Sequence, residues 1–146
     1  MKKLTFLLVC LFTLCTSVLR ADNEKPIQVN QLPATAQQLI KQHFADRKVV
    51  LAKVETELMS KSYEVIFTDG AHIDFDSKGN WEEIDCKASS VPSAIVPAQI
   101  QEYIRKNYPD TTVKKIEKNR REYEVKLSNR VELSFDLKFN LTDIDM

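Results

Sequence analysis

Residues 63–85 read YEVIFTDGAHIDFDSKGNWEEID, and residues 123–145 repeat this pattern without a gap as YEVKLSNRVELSFDLKFNLTDID. Nine of the 23 aligned positions are identical, whereas a chance alignment of ordinary composition gives about one or two identities. The identical pairs are Tyr63/Tyr123, Glu64/Glu124, Val65/Val125, Phe75/Phe135, Asp76/Asp136, Lys78/Lys138, Asn80/Asn140, Ile84/Ile144 and Asp85/Asp145. The sequence therefore predicts an internal duplication.

Apolar side chains occupy every second position within both copies, which is typical of half-buried β-strands. These positions are Tyr63, Val65, Phe67, Ala71, Ile73 and Phe75 in the first copy and Tyr123, Val125, Leu127, Val131, Leu133 and Phe135 in the second. The intervening positions are mostly polar, so one face of the sheet is expected to contact water, as antiparallel sheets permit.

The turns between these strands contain the only two glycines of the chain, Gly70 and Gly79. Asp69 and Gly70 predict a two-residue hairpin turn in which both residues take positive φ. In the second copy Phe139 stands at the position of Gly79, and a bulky residue adopts positive φ only at a cost. The corresponding turn of the second copy is therefore expected to differ in shape.

Two further segments have the apolar spacing of amphipathic helices, and each follows a proline, Pro33 or Pro97. Proline is tolerated at a helix start because the first amides have no intrahelical partner. The predicted fold class is α+β, with two tandem helix-plus-four-strand repeats at residues 32–86 and 96–146. Their antiparallel sheet is expected to carry the helices on one face and to leave the other face open, all within a single domain at residues 32–146.

Residues 1–21 have the features of a secretory signal peptide. Two lysines precede an apolar run that is far shorter than the roughly 20 residues of a membrane-spanning helix. Cleavage after Ala21 or after Ser17 fits the small residues at the end of the leader. The mature chain is then expected to begin with a polar tether at residues 22–31 and to insert no segment into a membrane.

Removal of this leader takes away three basic residues, so 18 basic and 21 acidic residues remain and the net charge is −3. No basic stripe is present, and nucleic acid is not an expected partner. Cys86 is the only cysteine after the leader, which rules out a disulfide within the mature chain. Its thiol is expected to be buried and inert, with an intermolecular disulfide as the alternative.

These motifs resemble those of the PepSY-like proteins, exported proteins of the Gram-negative cell envelope with a fold similar to that of the β-lactamase inhibitory protein. The residues that carry the resemblance are Leu32-Pro33, Tyr63-Glu64-Val65, Asp69-Gly70, Ile73-Asp74-Phe75-Asp76, Gly79-Asn80-Trp81, Ile84-Asp85 and, in the second copy, Val96-Pro97. The resemblance implies a periplasmic or otherwise exported, non-enzymatic binding or inhibitory module, and it transfers no catalytic residue.

The polar face of the sheet supplies the candidate binding residues. They are Glu64, His72, Asp74, Asp76, Trp81, Glu122, Glu124 and Glu132. Their acidic members would attract a basic patch on a partner protein, or a few of them could hold a divalent ion. Polar residues alternate on any solvated strand face, and no ligand spacing is specific, so no metal ligand is assigned. The tryptophan is either a recognition anchor or a cover for the end of the core.

The predicted function is that of an exported, non-enzymatic module, inhibitor-like in character, which recognises an envelope protein through the open sheet face. The alternative is a carrier of a small ligand or a divalent metal in the periplasm. The chain has two histidines and no serine flanked by glycines, so nucleophilic catalysis has no candidate residues. We therefore expect no enzymatic activity and no cofactor.

Overall fold

The computed structural model describes residues 23–146, and the predicted signal peptide at residues 1–21 lies outside them. The described chain is mostly β-structure. Its elements in order are β1 (Glu24–Ile27), a 3-10 turn (Val29–Gln31), α1 (Ala34–His43), β2 (Val49–Glu57), β3 (Ser60–Phe67), β4 (His72–Phe75), β5 (Trp81–Asp85), α2 (Ala98–Asn107), β6 (Val113–Lys118), β7 (Glu122–Leu127), β8 (Glu132–Asp136) and β9 (Leu141–Asp145).

The predicted architecture of two tandem helix-plus-four-strand repeats is wrong. The nine strands form one continuous antiparallel sheet in the order of the sequence, with two helices of only ten residues each. No boundary divides the sheet, because β5 pairs directly with β6 across the connection that contains α2. The segment 22–31, expected to be a polar tether, contains β1, which pairs with β2.

A row of apolar side chains crosses the sheet on one face, one residue from each of the eight strands β2 to β9. The paired residues are Ala52, Val65, Ile73, Ile84, Ile116, Val125, Leu133 and Ile144. All of them except Ile144 are buried in one common core. Full burial of a valine, leucine or isoleucine side chain contributes about 1.5–3 kcal/mol, so this row contributes substantially to the stability of the sheet.

Both helices pack on this apolar face. The ring of Phe44, just after α1, stacks on Phe67 of β3 with centroids 5.3 Å apart, and Tyr103 of α2 meets Phe135 of β8 edge-on at 5.5 Å. Cys86 is also fully buried in this core. The helices therefore cover one face of the sheet, and the opposite face is left without a covering element among residues 23–146.

The tight turns have a different geometry from the one that the sequence predicts. In the β3–β4 connection only Gly70 has positive φ, at 82°, and its amide donates to the carbonyl of Phe67. This is a three-residue loop whose last residue is left-handed. Arg130 takes the same role at φ 73° in the β7–β8 connection.

The turn at Phe139 does not differ from its counterpart, contrary to expectation. Phe139 has φ 66° and Gly79 has φ 84°. The amide of Phe139 donates to the carbonyl of Asp136 at 2.9 Å, and the Asp136 carboxylate accepts bonds from the amides of Lys138 and Asn140, both at 2.9 Å. The aspartate fixes the turn, and the phenylalanine adopts the left-handed conformation that the turn imposes.

Candidate functional site

The open face carries a row of carboxylates on the opposite side of the sheet from the apolar row, displaced from it by one residue along each strand. The register pairs Glu64 with Asp74, Asp74 with Glu83, Glu83 with Glu117, and Glu117 with Glu124. We call these five residues, on strands β3 to β7, the acidic row. Because neighbouring strands lie about 4.8 Å apart, the row extends about 19 Å across the sheet.

Lysines neutralise part of the acidic row. Lys53 of β2 lies at one end of the acidic row, with its Nζ atom 2.6 Å from Glu64 Oε2. Lys115 of β6 lies 3.1 Å from Glu83 Oε1 and 3.7 Å from Glu117 Oε2. Hydrogen bonds to Glu64 and Glu24 raise the pKa of Lys53, so this lysine is charged at every physiological pH.

Asp74 and Glu124 have no ion-pair partner among the described residues. Burial, followed by repulsion from Glu64, raises the pKa of Asp74 to about 6. Burial, followed by the charges of Glu117 and Glu122, raises the pKa of Glu124 as well. Both shifts mean that these two ionised carboxylates are less favourable in the folded sheet than in water.

A second group of side chains lies next to the row. His72, Glu83 and Asp85 offer ligand atoms that all lie within 4.8 Å of one another, and none of the three is fully exposed. His72 Nε2 is 3.2 Å from Glu83 Oε1. The same glutamate oxygen contacts the Lys115 ammonium, so a metal ion bound here would compete with that lysine.

Four of the predicted binding residues belong to the acidic row or its immediate surroundings. Glu64, Asp74 and Glu124 are members of the row, and His72 is paired with Ile66 on the same open face. Glu132, on β8, lies opposite Lys126 and forms an ion pair with it at 3.1 Å.

The remaining three predicted residues are not members of the row, although the charge of Glu122 acts on Glu124. Asp76 sits in the β4–β5 turn, where its Oδ1 atom accepts bonds from the amides of Lys78 and Asn80 at 2.8 and 2.9 Å. Burial acts to raise its pKa, but the bonds from Asn80 and Lys78 outweigh burial and hold it below the usual value. Glu122 is paired with Asp136 near the start of β7.

Trp81 is half-buried and packs against the core. It also lines a cleft of about 1070 Å³ at the end of the sheet, together with Leu39, Glu82, Arg120 and Leu137. The tryptophan thus combines the two roles that the sequence left open, because it covers the core and presents part of its ring to a surface cleft.

Sequence reasoning missed two members of the row, Glu83 and Glu117, and the cation Lys115. A bulge between Asp74 and Phe75 shifts the pairing with β5, so simple alternation along the chain does not predict which β5 residues face outward. The pairing of β5 with β6 joins segments that are far apart in sequence. No local signal in the sequence identifies that pairing.

No helix in residues 23–146 is long and apolar enough to cross a membrane. No curated protein sequence matches the chain. Among solved structures, a "putative calcium-regulated periplasmic protein" from Bacteroides thetaiotaomicron is 65% identical with a TM-score of 0.84, covering 86% of this chain and 99% of that chain.

Two further structures, both from Bacteroides vulgatus and each described as a "putative periplasmic protein", are also similar. The first, of the DUF2874 family, is 56% identical with a TM-score of 0.83 and covers 86% of this chain and 99% of its own. The second is 39% identical with a TM-score of 0.79 and covers 84% and 99% respectively.

The sequence profile of the family described as "putative beta-lactamase-inhibitor-like, PepSY-like" matches residues 61–143. This match confirms the resemblance seen in the sequence motifs. It includes strands β4 to β8, almost all of β3 and the first three residues of β9, and with them the whole acidic row. The chain belongs to the PepSY-like family.

Proposed function

We propose that this protein is a non-enzymatic binding protein of the periplasm that recognises a positively charged surface of another protein through the acidic row. The observation that carries the proposal is the alignment of five carboxylates on five neighbouring strands. Like charges directly opposite each other destabilise a sheet. A folded protein retains such an arrangement at a cost to its own stability, and cationic groups of a partner would remove that cost.

The unpaired members of the row support this reasoning. Asp74 and Glu124 are partly desolvated and lack a cation among the described residues, and both have a raised pKa. A lysine or arginine from a partner would favour their ionised forms. Steering by such a face acts mainly on the association rate and weakens as salt increases.

The shape of the open face favours a macromolecular partner. The row is about 19 Å long and lies on a surface that neither helix of residues 23–146 covers. A standard protein interface buries about 800 Å² on each partner, which a sheet of nine strands can provide. The family's inhibitor-like description and the periplasmic neighbours support an exported protein-binding role.

Divalent cation binding is a second candidate function. A neighbour with 65% identity is described as calcium-regulated, and His72, Glu83 and Asp85 converge within 4.8 Å. Calcium prefers oxygen ligands, so the carboxylates of Asp74 and Glu83 are better suited to it than the imidazole. A titration with calcium, followed by NMR of the backbone amides, tests this candidate directly.

The main proposal is tested by capture from envelope extract with three baits. They are the native protein, the row variant Asp74→Asn/Glu124→Gln, and the control Asp46→Asn/Asp110→Asn. The row variant removes two charges without breaking an ion pair. The control removes the same amount of charge from exposed loop residues that form no ion pair among the described residues.

We expect a partner that native and control baits retain, that the row variant loses, and that elutes as salt rises. Repeating the capture with a calcium chelator separates the two candidates, since loss of the partner with chelator alone would assign the role to a bound cation. Equal retention by all three baits would show that the acidic row is not the binding surface.

A further inference from the structure

The outer edge of β9 has no strand partner among residues 23–146. An uncovered edge presents backbone amides and carbonyls that can pair with another chain. The opposite edge of the sheet differs, because β1 contains Pro26, which has no amide hydrogen to donate. Strand β9, with the sequence LTDID, contains no proline or lysine to block pairing.

The chain itself shows how such an edge is covered. Strands β5 and β9 both end in Ile-Asp, and both pair with their inner neighbour through a bulge at the same position. The outer edge of β5 is occupied by β6, which places Ile116 opposite Ile84 and Lys115 opposite Asp85. The Cys86 amide donates to the carbonyl of Lys114 at 2.8 Å and extends this ladder.

The corresponding positions on β9 lack the apolar and ionic contacts that β6 provides to β5. Ile84 has 0% of its surface exposed, whereas its counterpart Ile144 has 42% exposed. In β5 the carboxylate of Glu83 contacts Lys115 at 3.1 Å, but Asp143, which occupies the Glu83 position, has no ion pair among the described residues. An apolar contact and a cation are therefore what the edge of β9 lacks.

We propose that β9 binds an extended segment of a partner protein by antiparallel strand addition, and that this segment carries a lysine next to a large aliphatic residue. The lysine would face Asp145 and reach Asp143, as Lys115 faces Asp85 and reaches Glu83. The aliphatic residue would cover Ile144, as Ile116 covers Ile84.

A second copy of the chain fits this edge poorly. Antiparallel pairing of two β9 strands would bring Asp143 and Asp145 of both copies together, and like charges directly opposite each other are destabilising. Pairing with β1 of another copy would meet Pro26. The charge of the edge therefore selects a cationic segment from a different protein.

The probe is a synthetic peptide with the sequence of residues 112–119, which is that of β6 with one flanking residue on each side. It carries the change Glu117→Gln, because Glu117 is paired with Glu83 in the sheet and would otherwise lie opposite Asp143. Titration of ¹⁵N-labelled protein at low salt should shift the amide signals of β9, including that of Ile144. The matched peptide, in which glutamate replaces the lysine of position 115, should bind about two- to five-fold more weakly, the range for one exposed ion pair.

A charge exchange makes the test specific. The protein variant Asp145→Lys should lose affinity for the lysine peptide by a similar factor and should prefer the glutamate peptide. Equal binding of the two peptides to native protein, or shifts confined to β5 through exchange with the resident β6, would overturn the proposal. Shifts of β9 signals with protein concentration alone would also overturn it, because they would identify a second copy as the occupant.

Discussion

Replacement of Asp74 by asparagine should make the protein more stable at neutral pH. Burial and Glu64 raise the pKa of Asp74 from 3.8 to about 6, so the folded protein holds this proton more tightly than the unfolded chain does. Between about pH 4 and pH 6 the unfolded state therefore binds fewer protons, and stability falls as pH rises. Above pH 6 the full cost of the ionised group is present.

The magnitude follows from the same pKa. A carboxyl with this change in pKa would cost about 3 kcal/mol when ionised, and partial contact with water reduces the expected cost to about 1–2 kcal/mol. We expect the free energy of unfolding of Asp74→Asn to exceed that of the native protein by this amount at pH 7.5 and to differ little from it below pH 4. Urea unfolding followed by the fluorescence of Trp81, the single tryptophan, measures the difference across this range.

Asp76→Asn is the matched control because it should show the opposite sign. Hydrogen bonds from Asn80 and Lys78 outweigh burial and lower the pKa of Asp76. Its ionised form therefore stabilises the fold above pH 4, and this contribution is lost as pH falls through the lowered pKa. The variant should be less stable than native protein at pH 7.5.

If Asp74→Asn were destabilising at pH 7.5, or gained the same stability at pH 4, charge crowding in the row would not be the cause.

Three further predictions concern the sheet and its turns, and each is measured by urea unfolding. Gly79→Ala should lower the free energy of unfolding clearly more than Gly70→Ala does. Both glycines have φ near 80°, but an added Cβ at Gly79 would lie 2.7 Å from Pro33, whereas the space at Gly70 is open. Equal losses of stability in the two variants would contradict a steric origin. Phe75→Ala and Phe135→Ala, at 0% and 1% exposure, should each cost about 3–5 kcal/mol, and an unchanged midpoint would place that residue outside the core. Arg130→Gly should raise the free energy of unfolding by about 1 kcal/mol, because glycine adopts the left-handed conformation at φ 73° without steric strain. A loss of stability would show that the contacts of the arginine side chain contribute more than its backbone strain costs.

The alternation of apolar and polar residues along single strands was the most informative property of the sequence. It assigned Val65 and Phe75 to the core, and both have 0% of their surface exposed. It also placed Glu64, Asp74 and Glu124 on the open face, where the register aligns them. These assignments depend only on which side of a strand each residue faces, and that information is local.

The organisation of the whole sheet depends on contacts that no local pattern encodes. The four residues of β1 include a proline and two charged residues, and on their own they have the composition of a tether. They form a strand because the edge of β2 is available for pairing. The pairing of β5 with β6 joins segments that are far apart in sequence, and together with β1 it gives one sheet of nine strands instead of the predicted two tandem helix-plus-four-strand repeats.

The shapes of the turns were likewise not predicted correctly from the positions of the glycines alone. Glycine adopts positive φ without cost, and a different turn was therefore predicted where Phe139 replaces Gly79. In the β8–β9 turn the Asp136 carboxylate accepts bonds from two backbone amides and from the Asn140 side chain. Asp76 makes the same three bonds in the β4–β5 turn. The Asp and Asn pair is therefore the stronger predictor of this turn.

The apolar row and the acidic row differ by a single residue along each strand, so the register that buries one row also aligns the other. The same pairing of β3 with β4 places Val65 against Ile73 in the core and Glu64 against Asp74 on the open face. Stability gained from the buried row offsets the repulsion in the exposed row. Changes that relieve the repulsion should therefore raise stability and weaken binding together, a trade-off expected where a site is costly to the fold. Asp74→Asn alone should show both effects. A variant that became more stable but still captured the partner from extract would separate the electrostatic cost of the row from its proposed role.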